Sequence, residues 1–149
     1  MISHEVLGVF HLRRHSDDDE IPRGLRLHSD LVISEYDFRV VLCHDNFVSG
    51  IQLLDFSSND TLLPGYRHLL AMREELNSKD SKLPVRTKAV WQNLYLPAPK
   101  TLFEGSSRRR FVSYLFLNKI WSIGFHAIEV PFCPKFRLIR IIQAGEDSA

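Results

Sequence analysis

Apolar and polar residues alternate over Tyr36–His44, with Tyr36, Phe38, Val40 and Leu42 on one parity and Asp37, Arg39, Val41 and Cys43 on the other. A period of two marks a strand that buries one face. Glu5–Leu12 reads as an earlier strand, ended by the charged loop Arg13–Glu20 and by Pro22-Arg23-Gly24. Leu25–Ser34 reads as the next, with Leu25, Leu27 and Leu31 in register. Asp45-Asn46 predicts a tight turn into Phe47–Phe56, interrupted at Gly50. Four such runs in succession predict a small antiparallel meander.

The period changes after Asn59. Ser57, Ser58, Asn59 and Asp60 offer cap chemistry, and Pro64 suits the opening of a helix. Tyr66, Leu69, Leu70, Arg73 and Leu76 then recur at helical spacing, and Asn77-Ser78 is the stop. Arg73 lies on that stripe, where its stem can cover apolar surface while the guanidinium reaches water. Val85–Tyr95, between Pro84 and Pro97, predicts a second short helix, and Pro97-Ala98-Pro99 an extended connector. Ser107–Ile123 predicts a third and central helix, capped by Gly124. Its apolar positions cover nearly the whole helical circumference, so that surface must be buried in the fold or in a partner. Phe125–Val130 and Lys135–Ile142 read as two closing strands joined by Pro131-Phe132-Cys133-Pro134. The expected fold is α+β: a single domain over 1–149, with a mostly antiparallel sheet packed against two or three helices.

Composition narrows the function classes. A chain of 149 residues with 44% hydrophobic and 25% charged residues can bury a core without staples. Nineteen basic against 18 acidic residues leave +1, which excludes a nucleic-acid binder that relies on bulk charge. Two cysteines far apart, Cys43 and Cys133, predict a reduced intracellular pair rather than a disulfide framework. The opening Met1-Ile2-Ser3-His4-Glu5 lacks the basic start of a signal peptide, and no apolar run reaches the length of a membrane span. The expected location is intracellular, cytoplasmic or nuclear, with no membrane.

No residue set predicts catalysis, a metal or a cofactor. The seven histidines lack paired ligand spacing; His11 with His15 comes nearest, beside the acidic run Asp17-Asp18-Asp19-Glu20. Cys43-His44-Asp45 has triad residue types, but neighbours on a strand point to opposite faces. The glycines form no phosphate-cradling loop. What stands out is Arg108-Arg109-Arg110 running straight into Phe111, Tyr114 and Trp121. Three cations at a helix start oppose the macrodipole by about 0.3–1 kcal/mol each, a misfit that can mark a site under another demand. The candidate contact residues are therefore Arg108, Arg109, Arg110, Phe111, Tyr114 and Trp121. The expected function is a non-enzymatic interaction module with a protein partner. The alternative is RNA or single-stranded nucleic acid, with the arginines on phosphates and the aromatics on bases. A homo-oligomer is compatible with either.

The series Leu54-Asp55-Phe56-Ser57-Ser58-Asn59, Leu83-Pro84, Lys88-Ala89-Val90-Trp91 and Ile141-Ile142-Gln143-Ala144 resembles short landmarks of phlebovirus non-structural proteins. The resemblance implies an intracellular, non-enzymatic antagonist that binds host factors of interferon signalling or transcription. This chain is shorter than that family, lacks its acidic C-terminal region and opens on strand-like patterning. No site residue is carried over.

Overall fold

The computed structural model describes residues 5–13, 21–27, 35–46, 63–78, 94–133 and 135–143. The alternating segment forms a strand, β3 (Tyr36–Asn46), and the first apolar run forms β1 (Glu5–Leu12). The two pair antiparallel with a bulge between Val6 and Gly8. β7 (Arg137–Gln143) lies on the other side of β3, giving a three-stranded sheet ordered β1-β3-β7. Phe38, Val40 and Leu42 point inward as the alternation requires, alongside Leu7, Phe10, Leu12, Ile139 and Ile141.

The expected meander is not what forms. β2 (Arg26–Leu27) joins a second sheet, ordered β2-β4-β5-β6, and leaves β1 to pair directly with β3. The rest of Leu25–Ser34 beyond Leu27, and all of Phe47–Phe56, lie outside the described residues.

The larger correction concerns Ser107–Ile123. It is an antiparallel hairpin of β5 (Arg110–Asn118) and β6 (Ile120–Ala127), in register from Phe111 opposite Ala127 to Leu117 opposite Trp121. The helical reading failed because β5 is apolar on both faces. Leu115 and Leu117 face the main core, and Phe111 a smaller cluster with Tyr66, Leu70 and Phe103; Val112 and Tyr114 face another with Cys43, Leu63, Phe132, Phe136 and Leu138. A strand buried on both sides loses its alternation and reads as continuous apolar sequence. Phe125–Val130 correspondingly splits between the end of β6 and a turn in which Val130 N–H donates to the Ala127 carbonyl at 3.2 Å.

Pro97-Ala98-Pro99 lies within a strand, β4 (Leu96–Glu104), rather than in a connector. β4 tolerates the prolines because β2 reaches only Phe103 and Glu104, and because pairing with β5 skips Pro99, Lys100 and Thr101 in a bulge.

One helix stands among the described residues, α1 (Tyr66–Asn77), against the two or three expected; Val85–Asn93 lies outside them. Of the expected stripe Tyr66, Leu69 and Leu70 are buried and Arg73 and Leu76 half-buried, while Ala71 and Met72 are buried beside it. Pro64 precedes the cap residue Gly65 rather than opening the helix. His68 closes the first turn by accepting the Gly65 N–H on Nδ1 at 3.0 Å. Its Nε2 then carries the proton of the neutral ring and donates to the Tyr36 hydroxyl at 2.7 Å, which ties the helix to β3. The main core holds Leu69 and Met72 of α1 between Phe38 and Ile139 of one sheet and Leu96 and Leu115 of the other.

Candidate functional site

The arginine triplet sits at the tip of the hairpin that joins β4 to β5. Glu104 pairs with Arg110, and Gly105 N–H donates to the Arg109 carbonyl at 2.7 Å. The chain then reverses over Ser106–Arg109, with Arg109 N–H on the Ser106 carbonyl at 3.2 Å. Both central residues are left-handed, Ser107 at φ 57° and Arg108 at φ 59°. Two positive φ values in sequence define a type I′ turn, whose twist matches the flanking strands and which ordinarily selects Asn-Gly. Here neither residue is glycine, and each non-glycine residue in that region costs roughly 1–2 kcal/mol.

Arg108, Arg109 and Arg110 are all exposed. Among the described residues none of the three has an acidic partner within ion-pair distance, whereas Arg13 pairs with Glu74 at 3.2 Å and Arg26 with Glu104 at 3.7 Å. The Arg109 guanidinium lies 5.6 Å from the Phe111 ring centroid. Register puts Arg26, Glu104 and Arg110 in one row across β2, β4 and β5. Arg26 reaches Glu104 at 3.7 Å in this row, and Arg108 and Arg109 extend from the turn beyond it.

Of the aromatic candidates Phe111 lies beside the tip, and Tyr114 and Trp121 do not. Phe111 is half-buried against Tyr66, Leu70 and Phe103, one side of β5. Tyr114 lies on the opposite side, ringed by Tyr95 at 5.6 Å, Phe116 at 5.3 Å and Phe136 at 5.1 Å. Its ring also rests on Gly124, where an added Cβ would fall 2.5 Å from the Tyr114 ring. Between Arg110 and Tyr114, Val112 is fully buried beneath the cluster of Phe132 and Phe136, so that face is covered. Trp121 is 8% exposed in the main core. Its pairing partner Leu117 is seven residues along β5 from Arg110, roughly 23 Å at the usual strand rise.

Burial raises the Tyr114 hydroxyl above its ordinary pKa, with smaller contributions from Tyr95 and Cys133. Cys43 is a buried thiol that accepts from Arg140 Nη1 at 3.4 Å, and Cys133 is an exposed one. His11 is held by Asp37 at 2.7 Å; His15 lies outside the described residues. Among the described residues no group of three or more His, Cys, Asp or Glu could hold a metal ion, and no helix is long and apolar enough to cross a membrane.

No protein-family model, curated protein or solved structure matches the chain. Of the landmark series, Ile141-Ile142-Gln143 falls in β7; the others lie outside the described residues.

Sequence reasoning missed three contributors to the tip: Arg26, Glu104 and the turn itself. The available signal was the strand-favouring run of aromatic and β-branched residues after Arg110, with Gly105 just before the reversal.

Proposed function

We propose that this chain is a non-enzymatic protein–protein interaction module, an adaptor whose contact element is the arginine-tipped hairpin. The observation that carries the reading is the set of three exposed arginines, Arg108, Arg109 and Arg110, with no acidic partner among the described residues, on a reversal held by two left-handed residues. Strain of that kind persists where the surrounding structure over-determines it, and it accumulates at sites under functional demand. A chain of net charge +1 has no bulk field to steer a polyanion, so recognition rests on this local cluster and selects an acidic protein surface.

Nucleic acid is the less favoured partner. Stacking on bases needs accessible ring faces, while Phe111, Tyr114 and Trp121 are committed to three different clusters. The resemblance to phlebovirus non-structural proteins, which bind host factors, points toward a protein partner without assigning residues.

Affinity capture from cells tests the reading, with the wild-type chain and an Arg108→Glu/Arg109→Glu/Arg110→Glu variant as parallel baits. Ribonuclease-resistant protein partners held by the wild type and lost by the variant are expected. Equal capture by both baits, or loss of all captured material on ribonuclease treatment, overturns it.

A further inference from the structure

β1 ends its sheet. It pairs with β3 on one side, and no backbone hydrogen bond joins its other side to any described residue. The bulge between Val6 and Gly8 leaves a regular run over Gly8–Leu12. Val6 and Val9 are 52% and 49% exposed, two of the four large apolar side chains most open to solvent among the described residues. Proteins ordinarily guard such an edge with lysines, proline or bulges; Glu5–Leu12 contains no lysine or proline, and its bulge lies at the Val6–Gly8 end.

A recess of about 160 Å³ opens where this strand meets α1, walled by His11 and Arg13 of β1 and by Ala71, Glu74, Glu75 and Ser78. Asp37 and Glu35 stand against His11 at 2.7 and 3.7 Å. Glu74 and Glu75 wall the recess with Arg13, which Glu74 holds at 3.2 Å, so the named groups are four carboxylates against one guanidinium. The neighbourhood is negative, the reverse of the hairpin tip.

We propose that the β1 edge takes up an extended segment of a partner protein by strand addition, with apolar residues beside Val6 and Val9 and a lysine or arginine in the recess. Main-chain hydrogen bonds to Gly8–Leu12 supply the affinity, and the cationic side chain between Glu74 and Glu75 fixes register and direction. The recess admits one long basic side chain, so the specificity is one cation at one end of an apolar strand. This goes beyond the arginine tip: with both surfaces, the module carries one contact for an acidic partner and another for an apolar strand that ends in a base.

The test is titration of the full chain with acetyl-Thr-Val-Thr-Val-Thr-Lys-amide, followed by amide proton–nitrogen spectra. Saturable shifts confined to Glu5–Arg13 and Arg73–Ser78 are expected. Affinity should fall at least fivefold for the peptide ending in Glu, and by a similar factor for Glu74→Gln/Glu75→Gln. A peptide N-methylated at alternate residues should not bind, a control that leaves the protein unaltered. Absence of β1 shifts at millimolar peptide overturns the proposal, as does equal binding of the N-methylated peptide. Sedimentation showing a dimer with β1 amides protected would also overturn it, because the edge would then belong to a second copy. None of these variants touches Arg108–Arg110, so failure here leaves the hairpin reading standing.

Discussion

The side-chain amide of Asn77 at the end of α1 grips the backbone of Trp121: Oδ1 accepts the Trp121 N–H at 2.8 Å and Nδ2 donates to the Trp121 carbonyl at 3.0 Å. A single asparagine thus imitates a neighbouring strand on the outer side of β6 and fastens helix to hairpin. Asn77→Ala should lower stability by about 1 kcal/mol, because Asn77 is exposed and water can replace part of what is lost. Urea denaturation measures the change, and hydrogen exchange should quicken at Trp121 while the middle of β5 stays protected.

Gly124 exists for Tyr114. A Cβ there would lie 2.5 Å from one ring carbon and 2.6 Å from the hydroxyl oxygen, so the ring must shift out of its aromatic cluster. Gly124→Ala should cost roughly 1–3 kcal/mol, the range for overpacking. Combining it with Tyr114→Val should cost less than the two single losses summed, since the clash has gone. Thermal melts of the four proteins decide this.

The pH dependence follows from the same tyrosine. Burial, then Tyr95 and Cys133, hold the Tyr114 hydroxyl above its ordinary pKa of about 10. The unfolded chain therefore gives up this proton at lower pH than the folded one. The stabilising contribution is complete below about 10 and is lost as pH rises through the folded value. Stability should fall with rising pH in that alkaline window, and Tyr114→Phe should flatten the slope.

The turn predicts a separation of stability from binding. Replacing Ser107-Arg108 by Asn-Gly, the pair a type I′ turn prefers, should stabilise the hairpin by about 1 kcal/mol. It also removes one of the three tip arginines and should weaken partner binding. Denaturation and affinity measured on one preparation should move in opposite directions.

Ser113 offers a further check. Its hydroxyl is fully buried, and no hydrogen-bond partner reaches it among the described residues. Ser113→Ala removes an unsatisfied group and should be neutral or stabilising by up to about 1 kcal/mol in the same denaturation assay.

These features mark where the sequence was legible. Tyr36–His44 declared its strand because Phe38, Val40 and Leu42 meet the main core while Asp37 and Arg39 on the other parity stay outside it, even though Val41 and Cys43 on that parity are buried. Tyr66–Asn77 declared its helix because Tyr66, Leu69, Leu70 and Leu76 recur at helical spacing, although the buried Ala71 and Met72 widen that face. Arg110–Ala127 concealed its hairpin because clusters on both sides consume its apolar residues, and because neither turn carries glycine: Ser107-Arg108 and Lys119 adopt positive φ without it. A second warning, beside the strand-favouring run after Arg110, was the arginine triplet, misplaced for a helix start and unremarkable at a hairpin tip. Arg26 joined the site through pairing across distant sequence, which no local pattern encodes.

The contact element can be observed directly by hydrogen–deuterium exchange on the protein alone and saturated with its captured partner. Slowed exchange over Gly105–Arg110 and at Arg26, abolished by reversing the charge of the three arginines, is the predicted result. Protection elsewhere, with the tip exchanging at its free rate, would contradict the account.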